Sequence, residues 1–320
     1  MNIIITNVGR RGYLVDYIKS VPGFSGKVFV SDCDRTASGL YGHNDGHFIL
    51  PRPVDNPEKY VSELERLCHE IEISVVVPVI DPEIFILSKY RQRLKEKGIT
   101  AIVSDERTLD ICYDKIKMND FLGSCGIQYP NTYASFEAFE RAMENGDIKF
   151  PIIMKPILGS GSVDTYKLDN MEKSKALFSV GLIIQPFLSG LEYGIDVFND
   201  FNGNSLRCVI KEKLSMRSGE TDKSLSVHNE AIQMVALKIA ESLKHIGNLD
   251  CDMMETENGV YVLDMNPRFG GGYPATHTIG VNLLELLIML CSGENVVPEF
   301  NNYPTGILVM KDICVKAVRL

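Results

Sequence analysis

Residues Leu249 to Gly272, LDCDMMETENGVYVLDMNPRFGGG, constrain the fold more than any other stretch of the chain. Two runs with strand-like alternation, Leu249 to Met254 and Val260 to Met265, flank the turn-forming Thr256-Glu257-Asn258-Gly259, which predicts a β-hairpin. Because side chains alternate faces, Asp250, Asp252 and Met254 share one face of the outgoing strand, and Asp264 and Asn266 share one face of the return strand. In a register that aligns them, Asp252, Asp264 and Asn266 form an oxygen-only cluster with Arg268 just beyond it. Hard oxygen ligands with incomplete protein coordination suit Mg²⁺, or Mn²⁺ in its place, completed by phosphate oxygens and water. An adjacent arginine is placed to neutralise charge on a transferring phosphoryl group or an acyl phosphate. The competing reading is a polar hairpin whose acids face solvent.

The chain has 320 residues, enough for two or three domains. Its 45% hydrophobic and 23% charged content is that of a globular protein rather than a disordered one. A net charge of −9 argues against a nucleic-acid surface and makes a nucleotide the better ligand, held in a local basic pocket. The eight cysteines, at 33, 68, 112, 125, 208, 251, 291 and 314, form no C-x-x-C pair and no zinc-like His-Cys cluster. Buried thiols in a reducing cytoplasm are the expectation. The chain opens on a strand pattern rather than a signal sequence. No apolar run reaches membrane-spanning length, since even Leu283 to Cys291 contains Glu285, so no membrane partner is expected.

Residues 1 to about 112 alternate strand and helix signals, with strands at Asn2–Asn7, Lys27–Ser31, Ser74–Ile80 and Thr100–Val103. Helices are expected at Tyr13–Ser20, Pro57–Glu70 and Pro82–Lys97. This βαβ pattern predicts a Rossmann-like parallel sheet. The first strand-to-helix turn, Asn7-Val8-Gly9-Arg10-Arg11-Gly12, departs from G-x-G-x-x-G, which argues against NAD even though Asp32 follows the second strand. Arg10, Arg11, Asp32 and Asp81 lie at carboxyl ends of predicted strands, the usual ligand crevice, and are candidates for substrate contact or solvated loop charges.

Further along, Phe150 to Pro156 is a strand bounded by prolines, and Lys155 ends its apolar run, a costly place for an ammonium unless it snorkels or meets an anion. Gly159-Ser160-Gly161-Ser162 follows, a glycine-rich turn whose backbone N–H groups can approach phosphates, leading into a strand at Val163–Leu168. A helix is expected at Met171–Ser179, a strand at Leu182–Phe187, a long helix at Val227–His245 and a closing strand at Ile307–Val318. His228 and His245, at the ends of the long helix, read as capping or surface residues.

The segment Asp264 to Gly272, D-x-N-P-R-F-G-G-G, preceded by the Gly247–Asp252 strand, resembles the metal-binding end of the ATP-grasp fold. More narrowly it is similar to the branch holding the carbamoyl phosphate synthase large subunit and the pyrrolysine-biosynthesis ligase. The resemblance runs in motif order from about 114 to 290, beginning with Asp114-Lys115 and Gly126-Ile127-Gln128-Tyr129-Pro130. It implies that Lys115 and Lys155 touch the nucleotide phosphates and that Gly159, Ser160 and Gly161 cover them. It implies that Gln185, in place of a common glutamate, and the main chain of Phe187 read the adenine, while Glu192 reaches the ribose. Gln185 keeps a carbonyl oxygen for the adenine amino group. Asp252, Asp264 and Asn266 become the metal ligands, Arg268 the catalytic residue, and Lys213 and Arg217 residues near the phosphates and acceptor. The Gly270-Gly271-Gly272 loop borders the acceptor site, although its glycines could simply turn the chain.

The expected architecture is a multidomain α/β and α+β chain, an ATP-grasp fold preceded by a Rossmann-like domain. The domains are 1–112 (parallel sheet), 113–188 (small lobe and nucleotide lid) and 189–320 (large lobe with the metal and catalytic site). The resemblance implies an ATP-dependent ligase joining a small-molecule carboxylate to an amine through an acyl phosphate, with ATP and Mg²⁺ as cofactors. A small-molecule kinase on the same fold, or one nucleotide-binding subunit of a split synthase, are the alternatives. A homodimer or a partner subunit is compatible with the sequence.

Overall fold

The computed structural model describes residues 1–159 and 164–319. Its first sheet is parallel, in the order β3-β2-β1-β4-β5, built from β1 (Asn2–Thr6), β2 (Val28–Asp32), β3 (His47–Ile49), β4 (Ile73–Pro78) and β5 (Thr100–Ala101). Its strands read as unbroken apolar runs because both faces are covered. Ile3 and Ile5 point to α1 (Tyr13–Lys19), while Ile4 points to α2 (Pro57–Glu70) and α3 (Asp81–Lys89). The helix predicted over Pro82–Lys97 breaks at Tyr90 into α3 and α4 (Arg91–Glu96). Two further helices, α5 (Glu106–Tyr113) and α6 (Lys115–Ser124), are capped by Asp105 and Asp114, whose carboxylates accept backbone N–H groups of the first turn.

The helix α7 (Phe136–Asn145) packs on a three-stranded antiparallel sheet in the order β7-β6-β8, made from β6 (Ile152–Pro156), β7 (Tyr166–Leu168) and β8 (Leu182–Pro186), with α8 (Met171–Leu177) between the last two. The strand expected from Val163 starts at Tyr166 among the described residues.

The third sheet is antiparallel, in the order β13-β12-β9-β10-β11-β14: β9 (Leu191–Asn199), β10 (Ser205–Arg217), β11 (Glu220–Val227), β12 (Gly247–Thr256), β13 (Gly259–Asn266) and β14 (Leu308–Met310). Alternation gives it two unlike faces. Tyr193, Ile195, Val197, Ile210, Leu249, Cys251 and Met253 pack on Ile232, Ile239 and Leu243 of α9 (Glu230–Leu243), each contributing about 2 kcal/mol by burial. The opposite face carries Asp196, Lys211, Lys213, Asp250 and Asp252. After β13 come α10 (Tyr273–Thr278) and α11 (Leu283–Cys291), and α11 returns to cover the parallel sheet beside α1. Among the described residues no helix is long and apolar enough to cross a membrane.

Two further expectations are corrected. The strand predicted over Ile307–Val318 pairs with β11 only at Leu308–Met310. His245 is fully buried rather than a surface residue. Its Nε2 lies 3.1 Å from the Val197 carbonyl and its Nδ1 3.3 Å from the Asn199 side-chain amide, so the ring donates from Nε2 and accepts at Nδ1. Burial pulls its pKa from the usual 6.5 to about 4, against the Val197 bond. The unfolded chain therefore takes up a proton that the native imidazole refuses. The stability this group contributes is complete above pH 6.5 and is lost as pH falls toward 4, at about 1.4 kcal/mol per pH unit. Urea unfolding at pH 7 and pH 5 should show a shallower pH slope in His245→Gln than in the parent. Equal slopes would mean that the native ring protonates freely.

Candidate active site

Three cavities lie in line along the charged face of the large sheet. The first, about 500 Å³, lies between the two antiparallel sheets, with Lys115, Lys155, Gln185 and Leu188 among its lining residues. The second, about 310 Å³, lies against the parallel sheet and is lined by Arg11, Asp81, Lys213, Asp250 and Arg268. Glu192, Asp252 and Asp264 line both. A third, about 500 Å³, adjoins the second through Ser218, Glu220, Thr221 and Gly272.

In the first cavity, Lys115 is buried and donates to the Gly159 carbonyl at 2.6 Å. Lys155, on β6, makes no ion pair among the described residues. Burial pulls its ammonium down to about 8, against the nearby Asp264 carboxylate and with the help of the Lys115 charge. Ser160 and Gly161 lie outside the described residues. Gln185 is buried and donates through Nε2 to Thr132 Oγ1 at 2.8 Å, and Asn119 donates to the same oxygen at 2.7 Å. Thr132 in turn donates to the Pro130 carbonyl, so the Gln185 amide is locked with its carbonyl oxygen left for a ligand. The Phe187 N–H is spent on the Pro151 carbonyl at 3.1 Å. Its main-chain donor is thus unavailable to a base, and Leu188 is the next residue on the cavity wall.

The hairpin register pairs Asp250 with Asn266 and Asp252 with Asp264 before a bulge at Met253. Both pairs of polar side chains therefore stand on one face. Asp252 accepts from Lys213 at 2.6 Å, and Lys213 also reaches Glu192 at 3.0 Å. Burial works against the Lys213 charge, but the two carboxylates outweigh it and hold its pKa above the ordinary value. Gly194 makes room for this lysine, since a Cβ there would lie 3.1 Å from its Cε. Asp264 Oδ1 is buried with no hydrogen-bond partner among the described residues. An orphaned carboxylate oxygen facing a second carboxylate and an amide oxygen is a hard, incomplete donor set, and it fits a magnesium ion that also takes phosphate oxygens.

Arg268, beyond the hairpin, is clamped by Asp81 at 2.9 Å and Asp250 at 3.1 Å. Burial opposes its charge, and the two acids more than restore it. Gly270 is required here, because a Cβ would sit 2.0 Å from Asp250 Oδ2. Arg11 donates to the Val79 and Phe269 carbonyls, bridging the parallel sheet to the glycine loop.

The fold thus brings together Lys115, Lys155, Gly159, Gln185, Phe187, Glu192, Asp252 and Asp264 in the first cavity. It brings Arg11, Asp81, Lys213, Asn266 and Arg268 to the second, and Arg10 and Arg217 to the third. Asp32 lines none of the three. Its carboxylate instead accepts the Gly9 N–H at 2.8 Å and the Asp34 N–H at 2.9 Å, holding the first turn. Sequence reasoning placed Asp250 on the right face but gave it no task. It had no signal for Thr132, nor for the buried knot of Asp196, Lys211, Asn248 and Thr276. There the Lys211 ammonium meets Asp196 and Thr276 Oγ1, and Asn248 donates to Asp196 at 2.8 Å and to the Arg268 carbonyl at 3.3 Å.

Residues 3–102 match the PylC-like N-terminal domain family, and residues 112–272 match the ATP-grasp domain family. The chain belongs to the ATP-grasp family. It is an enzyme of the ATP-grasp ligases, whose members bind ATP with magnesium. The carbamoyl-phosphate synthase of Methanobrevibacter smithii is 25% identical over 315 residues, 92% of this chain and 82% of that protein. The carbamoyl phosphate synthase large chain of Thermotoga maritima is 25% identical over 301 residues, but these are 87% of this chain and only 26% of that one. Among solved structures, the N5-carboxyaminoimidazole ribonucleotide synthetase of Thermotoga maritima gives a TM-score of 0.68 at 17% identity, covering 93% of this chain and 78% of that one. The biotin carboxylase domain of Hydrogenobacter thermophilus 2-oxoglutarate carboxylase, bound to MgADP and bicarbonate, gives 0.74 at 15% identity, covering 96% and 73%. These structural likenesses carry the ATP-grasp fold.

Proposed function

We propose that this enzyme is an ATP-dependent carboxylate–amine ligase that activates its carboxylate as an acyl phosphate and releases ADP and phosphate. The observation that carries the reading is the sharing of Glu192, Asp252 and Asp264 by the first two cavities. A phosphoryl group handed from a nucleotide in one cavity to a carboxylate in the other crosses at Asp252 and Asp264.

Lys115 and Lys155 hold the phosphate chain in line, the Gln185 carbonyl accepts from the adenine amino group, and Glu192 takes the ribose hydroxyls. Asp252, Asp264 and Asn266 would hold Mg²⁺, which would supply neutralisation of the phosphate charge. Lys213 tethers Asp252 and Glu192 to each other, so that neither carboxylate swings away between turnovers. Arg268, pre-oriented by Asp81 and Asp250, stabilises charge on the phosphoryl oxygens and on the tetrahedral intermediate formed when the amine attacks. The nucleophile belongs to the substrate, so no serine or cysteine of the chain takes part.

Nucleotide affinity should report the state of Lys155. With its free pKa near 8 and phosphates favouring the charged form, affinity stays level below pH 8 and falls by up to about tenfold per pH unit above it, with proton uptake on binding. Calorimetry of MgADP binding at pH 7 and pH 9, in buffers of different ionisation heat, measures both. Binding without proton uptake at pH 9 would place Lys155 away from the phosphates.

Product mass separates this reading from a kinase that shares every nucleotide contact. Condensed product with free phosphate supports the ligase, whereas a substrate that retains the phosphoryl group rejects it. Repeating the assay with a co-purifying protein, if one is found, reads dependence on a partner subunit.

A further inference from the structure

One wall of the first cavity is set from behind by Thr132, a residue that does not itself line it. Tyr133 and Ile184 exchange both backbone hydrogen bonds, each at 2.9 Å, which sets Thr132 beside Gln185 on β8. The Thr132 hydroxyl lies 2.8 Å from the Pro130 carbonyl, 2.8 Å from the Gln185 amide and 2.7 Å from the Asn119 amide. A carbonyl only accepts, so the single hydroxyl proton goes to Pro130. The lone pairs that remain can bind only donors, so both amides turn their NH₂ groups to the hydroxyl. Asn119 and Gln185 are buried, and an amide oxygen set against a spent hydroxyl there would be costly. The oxygen of Gln185 is thereby fixed toward the cavity.

The same saturation bears on residue type. A glutamate at position 185 would set a carboxylate oxygen against a hydroxyl with no proton to give. Glutamine satisfies Thr132 with one end of its amide and keeps the other end as an acceptor.

We propose that Thr132 is a positioning residue that sets base choice: by holding the Gln185 amide in one orientation, it admits a purine with an amino group at C6 and rejects one with a carbonyl there. The inference rests on the reading that places adenine against Gln185. With the amide fixed, a 6-oxopurine meets oxygen with oxygen, and no flip can relieve the mismatch.

The test is calorimetric titration with MgADP and MgIDP, whose bases differ in the C6 substituent and the N1 proton that accompanies it. The parent is expected to bind MgADP more tightly by about tenfold or more, the size of a buried hydrogen-bond mismatch. Thr132→Val keeps the shape and removes the hydroxyl, which frees the amide to turn. Its affinity for MgIDP should rise while that for MgADP falls, bringing the two within about threefold, and Thr132→Ser should restore the parent's ratio. A merely structural role would weaken both nucleotides together and leave the ratio unchanged. Thr132→Ala reads the same ratio if the valine variant does not fold. A parent that binds MgIDP as well as MgADP, a parental ratio in Thr132→Val, or a serine variant without discrimination would overturn the proposal. Gln185→Leu separates this inference from the reading beneath it. If that variant keeps the parent's ratio, adenine lies elsewhere and the nucleotide reading fails. If it loses the ratio while Thr132→Val keeps it, only the role of Thr132 fails.

Discussion

Replacing Asp264 with asparagine is expected to lower turnover about a hundredfold or more, the size of effect seen when charge stabilisation is removed from a preorganised site. The substitution conserves shape, so the β12–β13 pairing opposite Asp252 should survive it. What it removes is the carboxylate whose Oδ1 is buried without a partner among the described residues. Neighbouring Asp252 cannot replace that charge, because Lys213 already holds it at 2.6 Å. The loss should appear in kcat and in a raised Mg²⁺ requirement, with the thermal midpoint close to that of the parent. Turnover within about threefold of the parent would exclude Asp264 from the metal site.

Lys211→Met should be the most damaging change for stability. It removes the ammonium that meets Asp196 and Thr276 in a fully desolvated knot, stranding a carboxylate beneath the site. Breaking one side of a buried pair costs about 3–5 kcal/mol, because the remaining charge has no solvent and no counter-charge. Adding Asp196→Asn should recover much of the loss, since Asn248 and Thr276 can still bond a neutral amide. Urea unfolding of the two single variants and the double variant gives the coupling directly. A Lys211→Met protein within about 1 kcal/mol of the parent would show that water reaches the knot.

The acidic face of the hairpin was legible because it depends on strand periodicity alone. Asp252 and Asp264 meet since a turn of fixed length joins two alternating runs, and Lys155 stands out as a charge closing an apolar strand. The parallel sheet was legible for the same reason, with its apolar runs betraying two covered faces. The contacts that cross between sheets were not legible. Asp81 and Arg268 are 187 residues apart, and nothing local to either announces the other. The same holds for α11, which the sequence marks as buried without saying that it covers the N-terminal sheet. Asp32 misled because the end of a parallel strand is both a ligand crevice and the place where a turn needs an acceptor, and here the turn takes it. The main chain of Phe187 is expected to read the base, and pairing with Pro151 consumes its N–H, a detail set by the β6–β8 register rather than by residue type. His245 was placed by its position at a helix end, whereas the strand that follows carries it into the core.

Release of ADP from MgATP, measured across amino acids and other carboxylates with hydroxylamine present as the acceptor, tests acyl activation most directly. The expected result is ADP together with a matching amount of hydroxamate for one carboxylate. ADP formed with no hydroxamate from any carboxylate, or a product that keeps the phosphoryl group, would contradict it.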